Sequence, residues 1–120
     1  MRTIMAMLLL FLGMTYVGSA AKAQADQEST TFLLPYCKEF VDSNAPMPST
    51  VDAQWQGFCA GMVVGISSVD TVCRPGGLTT SQMVGVVIAY IEARPARMHE
   101  HFMELTREAL QAAWPCSPRR

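Results

Sequence analysis

Four cysteines, Cys37, Cys59, Cys73 and Cys116, constrain this 120-residue chain more than any other feature. Gaps of 21, 13 and 42 residues separate them, and those gaps exclude most of what grouped cysteines do. A structural zinc site wants closely spaced ligand pairs. A thioredoxin-like redox centre needs C-x-x-C beside a βαβ unit, and neither is present. The glycines between the second and third cysteines, Gly57, Gly61 and Gly65, fall inside a helical pattern rather than in a phosphate-cradling loop ahead of one. Disulfides remain, provided that the chain reaches an oxidising compartment.

The N-terminus supplies that condition. Arg2 precedes an uncharged apolar stretch, Ile4 to Val17, followed by Ala21-Lys22-Ala23. This is the pattern of a cleaved secretory signal peptide over residues 1–23, and the periplasm is the expected destination. The mature chain would begin at Gln24, or at Asp26 if Ala23-Gln24-Ala25 is the site used. The apolar run is shorter than the roughly 20 residues of a spanning helix, so no anchor is expected after cleavage. The remaining 97 residues read as one domain, 24–120, with an ordered core of about 32–116.

In that domain seven basic side chains meet ten acidic ones, which leaves no basic field for nucleic acid or an anionic membrane. A domain this short buries only about 60–65% of its unfolded surface, so cross-links matter to it. An even cysteine count in an oxidising compartment then predicts two disulfides.

Apolar periodicity predicts an all-α chain of four helices. The first runs from about Phe32 to Val41, with Leu33, Leu34, Cys37, Phe40 and Val41 on one face; Pro35 is tolerable there only in the first turn. The second, Ser49 to about Val69, is capped by Ser49 and Asp52. Its stripe runs through Val51, Trp55, Phe58, Cys59, Met62, Ile66 and Val69. Gly57, Gly61 and Gly65 line a neighbouring face, where close approach of another backbone, in this chain or in a partner, would account for them.

After a turn centred on Pro75-Gly76, Thr79 and Gln82 cap a third helix to about Glu92. Pro95 then opens a fourth near its N1 position, carrying Met98, Phe102, Leu105, Ala109 and Ala112 on its apolar side. If consecutive helices pair as antiparallel hairpins, residues equidistant from a turn lie side by side. The midpoint of Cys37 and Cys59 falls at Pro48, and that of Cys73 and Cys116 between Arg94 and Pro95. Both are helix breakers, so the expected bridges are Cys37–Cys59 and Cys73–Cys116, stapling two helical hairpins.

No catalytic, cofactor or metal constellation is read. His99 and His101 are two residues apart on a helix and point to different sides. Ser67, Ser68 and Asp70 have no histidine near them in sequence, and so short a helical chain offers little room for a deep pocket; an enzyme is not expected. Trp55 and Trp114 read as packing residues, with interface anchors as the alternative. Met98 and Met103 read as core filler, and Arg119 and Arg120 as a frayed tail.

From Leu33 to Cys116 the sequence resembles the Rap/Tai family of periplasmic immunity proteins associated with type VI secretion. The resemblance rests on Cys59-x-Gly61, Cys73-x-Pro75-x-Gly77, the Thr79-x-x-Gln82 cap, Val86-Val87-x-x-Tyr90-Ile91, Pro95 and the closing Pro115-Cys116. Met62 stands where an aromatic often follows the first motif, and Arg94 where a histidine often precedes the proline. The resemblance implies a small helical fold of the HdeA-like kind, often homodimeric, that binds and inhibits a secreted cell-wall amidase effector.

The expected contact is the loop Asp70 to Leu78, through Asp70, Arg74, Gly76 and Leu78, with Asp42 to Pro48 as a second available loop. The fold class also admits a periplasmic acid-stress holdase, or an orphan structural domain.

Overall fold

A computed structural model describes residues 26–118, so the expected signal peptide, residues 1–23, and the terminal Arg119 and Arg120 lie outside the described residues. Among the described residues four α-helices follow one another: α1, Thr30–Val41; α2, Thr50–Ser67; α3, Thr80–Glu92; and α4, Phe102–Ala113. A single 3₁₀ turn, Pro95–Arg97, separates α3 from α4. Side-chain caps start three of the helices, each accepting a backbone N–H that the first turn would otherwise leave unpaired. Ser29 accepts from Phe32, Ser49 from Asp52 and Thr79 from Gln82. Only at α3 is the capping box complete, with Gln82 Oε1 accepting the Thr79 N–H at 2.8 Å.

The structure joins Cys37 to Cys59 and Cys73 to Cys116, with Cα–Cα distances of 5.6 and 4.9 Å. The first bridge ties α1 to α2 inside the core. The second ties the α2–α3 loop to the segment after α4. Helix α1 packs mainly on α2, and α3 on α4, around Leu33, Val63, Val84, Val87, Ile91, Phe102, Leu105 and Leu110, all fully buried. The fold is a small all-α domain.

Two helix boundaries differ from the periodicity reading, and one cause accounts for both. The segment before α1 lies against the segment before α4 in a short antiparallel bridge, Ser29 to His101. The Thr30 and Thr31 N–H groups donate to the Glu100 and Met98 carbonyls, both at 2.9 Å. Their hydroxyls donate to the same two oxygens at 2.9 and 2.8 Å. These bonds satisfy donors of the first turn of α1, so that helix starts at Thr30 and leaves Pro35 in its second turn. They also occupy the carbonyls that would have continued a helix from Pro95, so α4 begins only at Phe102.

The stripe on α2 is rotated as well. Its buried face is Cys59, Ala60, Val63, Ile66 and Ser67, while Val51, Phe58 and Val69, expected inside, are exposed. The buried Cys37–Cys59 bridge fixes the rotation, and the helix must face α1, α3 and α4 at once. Methionine 103, expected as filler, is exposed too, whereas Met98 packs against the core. Nor do the α2 glycines meet another backbone: a Cβ built on Gly57, Gly61 or Gly65 would have no atom within 4 Å. Within the described residues no intrachain approach explains them.

Candidate partner-binding surface

The α2–α3 loop is held from both sides. Its Cys73 is bridged to Cys116, the Cys73 N–H donates to the Trp114 carbonyl at 3.0 Å, and Val72 pairs with Pro115 in an antiparallel bridge. Gln111 Nε2 donates to Thr71 Oγ1 at 2.9 Å, and buried Val72 roots the loop in the core. Between these anchors and α3, the segment Arg74 to Gly77 is exposed.

The turn lies one residue later than the sequence suggests. Gly77, not Gly76, has positive φ, at 81°, so Gly76-Gly77 occupy the central positions and Pro75 precedes them. Of the four expected contact residues, Asp70, Arg74 and Gly76 are exposed together on this loop. Leu78 is half-buried against the core and belongs to the scaffold. A loop already held by a disulfide and a proline loses little conformational freedom on binding.

One flank of α2 extends this surface, and the periodicity reading places all of it in the core. Val51, Trp55, Phe58 and Met62 recur along it at helical spacing, and Val69 follows just past its end. Val51, Phe58 and Val69 are exposed, while Trp55 and Met62 are half-buried against the core. Trp55 is the centre of an aromatic group with Phe32 and Phe58, its ring centroid 4.9 and 5.8 Å from theirs, both edge-on. Tyr36 stacks obliquely on Phe32 at 5.5 Å. An aromatic group that is only half covered has the character of an interface core. The α1–α2 turn at one end presents Met47, 94% exposed.

The connection between α3 and α4 is polar and internally neutralised. The Arg97 guanidinium donates to both oxygens of Glu100 and both oxygens of Glu108, at 2.6 to 2.9 Å. Tyr90 Oη also donates to Glu108, at 3.0 Å. The guanidinium beside it, then the Tyr90 hydroxyl, holds the Glu108 carboxyl down to about 2. Arg97 holds Glu100 below its ordinary range in the same way, and the two carboxylates keep the guanidinium charged. Arg94, the position that departs from the family pattern, lies 3.6 Å over the Tyr90 ring and donates to the Tyr90 carbonyl at 2.8 Å. This network braces the α3–α4 connection rather than offering free charge to a partner.

The architecture is that of a small, disulfide-stapled helical domain whose exposed features are a rigid loop and an aromatic stripe. The sequence model of the Rap1a immunity proteins matches residues 29–116. That span runs from the Ser29 cap to the last cysteine, and the chain belongs to this family. No curated protein and no solved structure matches it. Membership implies a partner effector, and proteins of this family are generally non-enzymatic.

Proposed function

We propose that the mature protein is a periplasmic immunity protein that binds and inhibits a peptidoglycan amidase delivered by a type VI secretion system. The family match over the whole stapled domain carries this reading. The secretory pattern of residues 1–23 and the two disulfides agree with an exported protein, and no helix among the described residues is long and apolar enough to cross a membrane. The loop from Asp70 to Leu78 is the proposed occluding element. In this reading Arg74 meets an acidic rim of the effector, and Asp70 and Gly76 on the same exposed loop contribute to the contact.

An acid-opened holdase fits this molecule less well. Both disulfides oppose opening, and Glu108 keeps its charge well into the acid range.

The test is capture with tagged mature protein from envelope and secreted fractions of the producing cell, read by mass spectrometry. One stoichiometric partner with peptidoglycan amidase activity, inhibited in the complex, is expected. A broad set of clients, or no partner, would overturn the proposal. Exchanging Arg74 to Gly77 for a Gly/Ser segment should weaken the complex; full affinity would show that another surface does the binding.

A further inference from the structure

Two adjoining depressions meet at one carboxylate. The first, of about 250 Å³, is lined by Gln27, Glu28, Gln54, Trp55 and Phe58. The second, of about 230 Å³, is lined by Glu28, Met62, His101 and Met103. Glu28 therefore sits at the middle of a groove whose floor is aromatic and thioether and whose rim carries two amides. Each depression is smaller than the roughly 300–1,000 Å³ of a pocket for a drug-sized ligand. The size suits one long side chain of a protein partner.

Charge selects which side chain. Four other carboxylates pair with cations, Glu92 with Lys38, Glu100 and Glu108 with Arg97, and Glu104 with Arg107, and of the remaining described carboxylates only Glu28 lines these depressions. Among the described residues, Glu28 has a single ion-pair contact, His101 Nδ1 at 3.8 Å, beyond hydrogen-bond reach. No lysine or arginine among the described residues lines either depression. We propose that this groove is an anchor site for an arginine or lysine side chain of the bound effector.

The aliphatic stem would lie on Phe58, Met62 and Met103, as such stems cover apolar surface elsewhere. The cation would sit at the Trp55 ring, where cation–π attraction adds to the Glu28 charge. This inference rests on the effector-binding reading above. From Met62 to the end of α2 at Ser67 is about 8 Å at 1.5 Å per residue, and the loop begins three residues later. A standard interface of about 800 Å² per partner can therefore cover both the groove and the Asp70–Leu78 loop.

Two measurements test it, one of them needing no effector. In the first, the isotope-labelled mature protein is titrated with N-acetyl-arginine methylamide and with its neutral citrulline counterpart. Saturable amide and indole shifts confined to Gln27, Glu28, Trp55 and Phe58 are expected with arginine only, and Glu28→Gln should abolish them. Equal shifts with citrulline, or none with arginine, would overturn the anchor site whatever the protein's partner.

In the second, wild type and Glu28→Lys are compared against the captured amidase. A rise in Kd of at least about 100-fold is expected, with an unchanged circular dichroism spectrum and melting temperature. An unchanged Kd would overturn the inference while leaving the immunity function intact. If wild type itself binds no amidase, it is the function proposal that fails, and the arginine titration still decides the groove.

Discussion

Replacing Cys73 and Cys116 together by serine separates what that bridge does in the unfolded chain from what it does in the folded one. Cys73 is exposed and Cys116 half-covered, so serine at these positions adds no buried polar group. The folded loop also keeps its other anchors: the Cys73 N–H to Trp114 bond, the Val72–Pro115 bridge and the Gln111–Thr71 bond. The expected loss therefore comes mainly from freeing the denatured chain. For a separation of 43 residues, loop-closure entropy gives about 4.0 kcal/mol.

In a domain of this size each 1 kcal/mol moves the melting temperature by about 4–8 °C, so a drop on the order of 20 °C is expected. Far-UV circular dichroism of the oxidised wild type and the double variant would measure it, and urea titration would give the free energy at 25 °C. The urea slope should also rise, because an uncross-linked denatured chain exposes more surface. A loss under about 1 kcal/mol with an unchanged slope would refute the denatured-state argument. So would a variant whose spectrum shows that the helices themselves have melted.

Three further outcomes follow from particular residues. Thr106 Oγ1 is buried without a hydrogen-bond partner among the described residues, so Thr106→Val should raise stability by about 1 kcal/mol in urea unfolding, and a loss would show that the hydroxyl is in fact bonded. Gly61→Ala removes a glycine from a helix interior with open space where the methyl would go, so a gain of about 1 kcal/mol is expected; destabilisation would point to a neighbour of α2, such as a second copy. The Glu108 carboxyl, held down to about 2 from an ordinary 4.5, binds protons more readily unfolded than folded. Its contribution is therefore full above pH 4.5 and lost as pH falls toward about 2; Glu108→Gln should flatten that part of the stability profile, and an unchanged profile would refute the assignment.

What the sequence disclosed was what local chemistry controls. Cap residues at Ser49 and Thr79, the buried face of α3 and the helix-breaking segments all follow from side chains acting on their own backbone or from a clean helical period. The spacing of the cysteines about those breakers was legible for the same reason.

What escaped depends on contacts far apart in the chain. Thr30 and Thr31 bond to carbonyls 70 and 67 residues away, and nothing near Pro95 announces that the helix there will be interrupted. The rotation of α2 is set by one disulfide and three neighbours, whereas its apolar residues surround too much of the helix to choose a face. Periodicity therefore places Val51, Phe58 and Val69 in the core, and the aromatic groove beside Glu28 has no signal of its own. The loop fared better, since a cysteine and a proline followed by two glycines mark a stiff turn, although not which glycine takes positive φ.

The central claim is inhibition, and titration of the captured amidase with the purified, oxidised mature protein tests it most directly. Release of cleaved cross-links from peptidoglycan sacculi would be followed at increasing molar ratio. Activity falling to background at a fixed stoichiometry, and rising again when the Arg74–Gly77 loop is exchanged, is the expected result. Full amidase activity in the presence of excess folded protein would contradict it.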